Sequence, residues 1–276
     1  FIGIDWSGAK AGYKNKIQVG VAEKGRSAPR LVDLGRPWTR QSVVDWLIQQ
    51  RISGPASLIG FDFSFAPPFV DQNAFLPGES QEDCAEDFWS YVDHQCDDAD
   101  LGAASFLEAR RGRYFYLGAK DGEKARYMRL RSCEKRFNDL GGGKPSSIFD
   151  AIGAAQVAKA SFAGMRVLHR LQDHYSIWPF QGLERYCVVE IYCRLFLMAA
   201  LGKGRKVRDY EQLNIVLTRL NSLPLASKDG ALSDDQSDAL IAAAGLRHFA
   251  SESKYWSPSG LHDRIGCTEG WTFGVV

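Results

Sequence analysis

The chain has 276 residues, with 34 Lys and Arg against 33 Asp and Glu, a formal net charge of +1 and 45% hydrophobic residues. That length suits one or two domains, and the composition is that of an ordinary globular protein, which excludes disorder, collagen and coiled coil. Near-neutrality excludes a protein that coats nucleic acid through its overall field, but leaves room for a local patch.

Hydrophobic periodicity predicts three short strands at residues 1–6, 16–23 and 30–34, an antiparallel meander with Gly25 and Pro29 marking its last turn. Thr39 or Ser42 can cap a helix running to about Arg51, in which Val43, Val44, Trp46, Leu47 and Ile48 form an apolar stripe. Residues 57–63 follow as a fourth strand, stopped by Pro67 and Pro68. Residues 186–192 suit a buried central strand, the fifth. A last helix spans about 234–249, and 271–275 is a candidate late edge strand. The order βββαβ…βα predicts an α/β fold with a mixed five-stranded sheet flanked by helices. It is expected as a single domain over 1–276, with a largely helical insertion at about 66–184 between strands four and five. In such a sheet the ligand crevice lies outside the carboxyl ends of the strands.

The longest apolar stretches, 195–201 and 239–246, fall short of the roughly 18 residues of a membrane helix, so no membrane partner is expected. With no leader pattern in the sequence, a cytoplasmic location is the expectation. The six cysteines (Cys84, Cys96, Cys133, Cys187, Cys193, Cys267) make no CxxC pair, and with five histidines no zinc pattern, so free thiols are expected.

The insertion segregates its charge. Between Glu79 and Asp100 stand nine acidic residues and no Lys or Arg, whereas ten basic residues between Arg110 and Arg136 face three acids. Tyr114, Phe115, Tyr116, Tyr127 and Phe137 are interleaved with the basic block. One reading is two solvated faces that pair with each other. The other is a phosphate-tracking groove with stacking rings.

Acids occupy unusual places in the predicted strands. Asp5 stands in Ile2-Gly3-Ile4-Asp5-Trp6-Ser7-Gly8, Asp62 in Gly60-Phe61-Asp62-Phe63-Ser64, and Glu190 in Val188-Val189-Glu190-Ile191-Tyr192. Burying any of them alone is costly. In the last helix Ser233 and Gln236 form a capping box, so the dipole accounts for Asp234 and Asp235 in the first turn. Asp238 lies beyond that turn, three residues after Asp235 on the same face, and heads the apolar run that must pack on the sheet. Like charges about 4 Å apart repel by roughly 4 kcal/mol at an effective dielectric near 20. Raised pKa values or a divalent cation must compensate if these acids converge. An all-oxygen set suits Mg²⁺ or Mn²⁺, and two such ions can activate a water and stabilise the leaving oxygen of a phosphodiester.

These motifs, in this order, resemble the RNase H-like nucleases, and the closing Asp235-Gln236-Ser237-Asp238-Ala239-Leu240 is similar to the Holliday-junction resolvases. More closely, the chain resembles the predicted RNase H-fold nuclease family called domain of unknown function 429. The pieces that carry this are Gly3-Ile4-Asp5-Trp6-Ser7-Gly8-Ala9, Asp62-Phe63-Ser64-Phe65, Glu190-Ile191-Tyr192 and Glu269-Gly270-Trp271-Thr272-Phe273-Gly274. Cys193 departs from the pattern, standing where Pro is expected. The resemblance implies a metal-dependent nuclease acting by a two-metal mechanism on DNA or RNA. Asp5, Asp62, Glu190 and Asp238 are its implied metal-binding and catalytic acids, with Asp235 as a fifth ligand. Expected substrate contacts are Lys10, Arg110, Arg111, Arg113 and Arg194. The histidines His248 and His262 are candidate proton shuttles, although a surface role explains each. Gly141-Gly142-Gly143-Lys144-Pro145-Ser146 is read as a loop, because Pro145 replaces the Ser or Thr of a phosphate loop.

Two other functions compete. An actin-like ATPase or kinase uses the same sheet, with Asp5-Trp6-Ser7-Gly8 as a first phosphate loop, but Phe63-Ser64-Phe65-Ala66-Pro67-Pro68 is bulky where a second backbone cradle is needed. A non-catalytic nucleic-acid-binding module would place its function in the basic block.

Overall fold

Six strands form one mixed sheet in the computed structural model, which describes residues 1–10, 12, 16–152, 157–204, 206–226 and 232–276. The strands are β1 (Ile2–Asp5), β2 (Gln18–Val21), β3 (Arg30–Leu31), β4 (Leu58–Phe61), β5 (Ser176–Trp178) and β6 (Cys187–Glu190), arranged β3-β2-β1-β4-β6-β5. β1, β4, β6 and β5 run parallel; β2 is antiparallel to β1 and to β3. The protein is thus α/β, with helices on both faces of the sheet.

Two expectations are corrected. The sheet has six strands rather than five, because the end of the predicted insertion contributes β5, three residues too short to show a period. The late edge strand at 271–275 reduces to a single bridge between Thr272 and Glu190. Positive φ at Gly270 and Gly274 (66° and 106°) breaks the extended run on either side.

Capping fixes the helices where the sequence signals it. Helix α1 (Arg40–Ser53) uses both predicted caps reciprocally: Ser42 N–H donates to Thr39 Oγ1 at 3.0 Å and Thr39 N–H to Ser42 Oγ at 2.8 Å. The insertion supplies α2 (Ala85–His94), α3 (Ala104–Ala109), α4 (Ser132–Asp139) and α5 (Val157–Leu171); its residues 153–156 lie outside the described ones. After β6 come α6 (Cys193–Leu201), α7 (Tyr210–Arg219), α8 (Asp234–Phe249) and the short α9 (Asp263–Cys267). Helix α8 has the predicted bounds and the Ser233–Gln236 capping box.

Strand alternation divides the core in two. Ile2, Ile4, Ile59, Phe61 and Val188 face α1, α2 and α5. Val189 and Ile191 face α6, α7 and α8. On this second face Gly3 and Gly20 are register partners, and a Cβ on either would stand 2.3 Å from the α8 backbone, at Ala243 N and Ala239 O respectively. This glycine pair lets α8 lie directly on β1 and β2. Asp5, two residues beyond Gly3, shares that face, as does Asp62, two beyond Gly60.

Candidate active site

The parallel strands β1, β4 and β6 end side by side, and their carboxyl ends open into a cavity of about 550 Å³. Asp62 N–H donates to Ile4 O at 3.2 Å, which carries the β1–β4 ladder one step past β4 and sets Asp62 beside Asp5. From α8, Asp235 and Asp238 line the same cavity. Their carboxyls sense one another. Burial, then Asp62, Asp238 and Asp235, push Asp5 well above the usual carboxylate range, against the pull of Lys206. Asp62 is raised to about 7 by burial and by Asp238 and Glu190, with the Cys193 backbone N–H opposing. Burial raises Asp238 to about 6, with Lys206 and the Cys193 thiol opposing and the neighbouring Asp234 and Asp235 adding to the rise. Asp235 is raised by burial, and Lys16 and Lys206 oppose.

Glu190 is the exception among the predicted acids. Register pairs it with Phe61, so it projects to the opposite sheet face from Asp5 and Asp62. There Arg131, just before α4, meets it with two hydrogen bonds of 2.6 and 2.7 Å. Phe65 N–H (2.8 Å) and the Thr272 hydroxyl (2.5 Å) fill its remaining acceptor sites. Both oxygens thus accept from protein donors, and Glu190, which lines the cavity with the aspartates, anchors Arg131. Arg131 also holds Glu134 at 2.9 Å, and both line the cavity.

Neighbouring buried contacts brace the site. Arg40 fixes the loop after β1, donating to Ser7 O (3.0 Å) and Ala9 O (2.7 Å). Trp6 Nε1 donates to Ala160 O of α5 at 3.1 Å. Glu269 is buried and accepts the N–H groups of Phe69 (2.8 Å), Val70 (3.0 Å) and Ser132 (2.7 Å), tying the segment after β4 to the start of α4.

The predicted substrate contacts are mostly elsewhere. Arg110 and Arg113 pair with Glu79, and Arg111 with Asp121; none of the three lines the cavity. Arg166 and Arg170 both pair with Asp93, and Arg129 pairs with Asp71. The acidic and basic blocks meet at Glu79, which takes both Arg110 and Arg113, and Phe115 is core against Phe106, Phe149 and Phe162. The cause is burial, since an inward-turned Arg needs a carboxylate. Exposed Lys10 is one residue past the cavity wall at Ala9; exposed Arg194 lies against Gly143, where a Cβ would be 3.2 Å from its Nη2. His248 and His262 do not line the cavity.

Sequence reasoning missed Lys16, Lys206, Glu134 and the contact of Cys193 Sγ with Asp238 Oδ1 (3.6 Å). Lys206 had a signal in the basic run Lys203, Arg205, Lys206 after α6. The others had none.

Asp5, Asp62, Asp235 and Asp238 make no ion pair among the described residues. Their chemistry, oxygen-only carboxylates raised by burial and then by neighbouring carboxylates, fits a hard divalent cation. Their spacing is open: among the described residues, the group whose ligand atoms all lie within 4.8 Å is Asp83, Cys84 and Asp87 at the start of α2, outside the cavity. No family model, no curated protein and no solved structure matches the chain. Among the described residues no helix is long and apolar enough to cross a membrane.

Proposed function

We propose that the chain is a divalent-cation-dependent hydrolase of nucleic-acid phosphodiesters, built on an RNase H-like sheet. The observation that carries this is the meeting of Asp5, Asp62 and Asp238, from three separate elements, in one cavity at the carboxyl ends of parallel strands. The strand order supports the RNase H-like frame, with β5 as an added edge.

Asp5, Asp62 and Asp238 would hold Mg²⁺ or Mn²⁺, with Asp235 at the rim. When bound, the cation supplies an acidic water and charge compensation for the leaving oxygen. With Glu190 committed to Arg131, a single-ion site suits these residues better than the two-ion set. Lys16 and Lys206 line the acidic end and attract and orient the substrate phosphate. Without a cation the Asp62 carboxyl is raised to about 7, so binding of the ion displaces its proton. Arg131 holds α4 over the site through Glu190.

The ATPase or kinase reading is weakened by the chain after β4. Ser64 N–H donates to Ser161 Oγ, Phe65 N–H to Glu190, and Phe69 and Val70 N–H to Glu269, leaving none of these four amides for a phosphate cradle. The binding-module reading is weakened by the pairing of Arg110 with Glu79 and of Arg129 with Asp71. The test is cleavage of single-stranded, duplex, hybrid and branched substrates with Mn²⁺ by wild type, Asp5→Asn and Asp238→Asn. Loss of cleavage in both variants is expected, and cleavage surviving in both removes the site.

A further inference from the structure

Part of the cavity wall is aromatic, and α4 roofs it from the insertion side. Tyr192 is the second residue after β6, is 37% exposed and packs edge-on against Phe137 of α4 at 5.6 Å between ring centroids. Both line the cavity. Asp62 stands close enough to help raise the Tyr192 hydroxyl pKa, so ring and carboxylates share one space. The Tyr192 hydroxyl makes no hydrogen bond among the described residues. A half-exposed ring braced from behind by a second ring is a seat for a planar group.

Residues of α4 and of the segment at Pro145 and Ser146 line the cavity from the insertion side. The start of α4 is fastened to the sheet by buried bonds from Arg131 to Glu190 and from Ser132 N–H to Glu269. A volume of about 550 Å³ falls within the small-molecule range of roughly 300–1,000 Å³. A base can enter such a space only after leaving its stack. Of the basic block that would track a duplex, Arg110 and Arg113 are held by Glu79 and Arg129 by Asp71. Arg194, by contrast, makes no ion pair among the described residues and lies two residues after Tyr192, beside Gly143 of the segment that leads into the wall.

We propose that the cavity seats one unpaired nucleotide, its base on Tyr192 and its phosphate toward Asp5, Asp62 and Asp238, with Arg194 on the adjoining backbone. The substrate is therefore single-stranded nucleic acid, and intact duplex is excluded. This rests on the hydrolase reading only for where the scissile phosphate lies; the base seat stands on the aromatic wall and the roof.

Binding and cleavage separate the two claims. Fluorescein-labelled oligothymidylate and the blunt duplex of the same strand with oligoadenylate are titrated with the whole protein by fluorescence polarisation, in Ca²⁺. The single strand is expected to bind at least about 5-fold tighter than the duplex. Tyr192→Ala should remove about 5-fold or more of single-strand affinity, the loss of one base stack, whereas Tyr192→Phe retains it. Arg194→Ala should lower the slope of log affinity against log salt by about one. Duplex binding as tight as single-strand binding, no binding to either probe, or affinity unchanged in a folded Tyr192→Ala overturns the proposal. Single-strand binding without Mn²⁺-dependent cleavage keeps the seat and removes only the hydrolase reading. Cleavage confined to duplex does the reverse.

Discussion

Arg131 grips Glu190 through Nη2 to Oε1 at 2.6 Å and Nη1 to Oε2 at 2.7 Å, with both side chains almost wholly buried. The pair joins the start of α4 to the end of β6, and so joins the insertion to the sheet at the edge of the cavity. Its value is geometric, because desolvation offsets much of the attraction in a buried ion pair.

Breaking one side of that pair strands charge. Arg131→Met leaves Glu190 and Glu134 as buried carboxylates without their cation, and is expected to destabilise the protein by about 3–5 kcal/mol. Adding Glu190→Gln should restore part of that loss. Urea denaturation at neutral pH measures both; a loss under about 1 kcal/mol would mean the pair behaves as a solvated one.

The cation-free protein should lose stability as pH rises. Asp62 and Asp238 have folded pKa values of about 7 and about 6 against an ordinary 3.8, so the folded state holds protons that the unfolded chain releases. Their contribution is present below about pH 4 and is lost as pH climbs through 6 and 7. For Asp62 the full span is worth roughly 4 kcal/mol. The thermal midpoint without metal is expected to fall on the order of 10 °C between pH 5 and pH 8, and less in Asp62→Asn. An identical fall in both proteins would disprove the assignment.

Mn²⁺ should bind with proton release. A cation needs ionised carboxylates, so its affinity rises with pH through the same window. Isothermal titration in buffers of different ionisation heat reads the protons displaced. Asp5→Asn and Asp238→Asn should each weaken binding at least 10-fold, and Asp235→Asn, at the rim, less. Equal affinity in wild type and Asp5→Asn would show that the ion sits elsewhere.

Gly3→Ala should separate α8 from the sheet. The added Cβ would stand 2.3 Å from Ala243 N and 2.6 Å from the Ala242 Cβ, and overpacking of this kind costs about 1–3 kcal/mol. Because α8 carries Asp238, Mn²⁺ affinity should fall with stability. Ile52→Ala, at a side chain 74% exposed, serves as a control expected within about 0.5 kcal/mol of wild type. Unchanged Mn²⁺ binding in Gly3→Ala would mean that the distance of α8 from β1 is not critical.

Arg110→Ala should act on stability and leave the substrate untouched. Arg110 holds Glu79 and the Tyr91 hydroxyl and covers Phe106 at 3.8 Å, all away from the cavity. A loss of about 1–3 kcal/mol is expected, as for other buried polar contacts. Oligonucleotide affinity per folded molecule should match wild type; a selective loss of affinity would return the basic block to the binding surface.

The sequence by itself determined five of the six strands, α8 and the three aspartates that meet in the cavity. The Ser233–Gln236 box and the apolar run behind Asp238 placed α8 with its observed bounds, and Asp5 and Asp62 were legible because each ends an apolar run beside glycine. These are local properties, carried by capping, periodicity and burial along one stretch of chain. Tertiary structure decided the rest. Glu190 looks like Asp5 and Asp62 within its own strand, but the pairing of Phe61 with Glu190 turns it to the other face. Cross-strand register is set by packing between distant segments, so no reading along one strand contains it. Likewise Arg110 and Arg131 belong to one basic block in the sequence, and only folding sends one to Glu79 and the other to Glu190 at the cavity. A charge run records how many cations there are, while the carboxylate each one meets depends on which chain segments burial brings together.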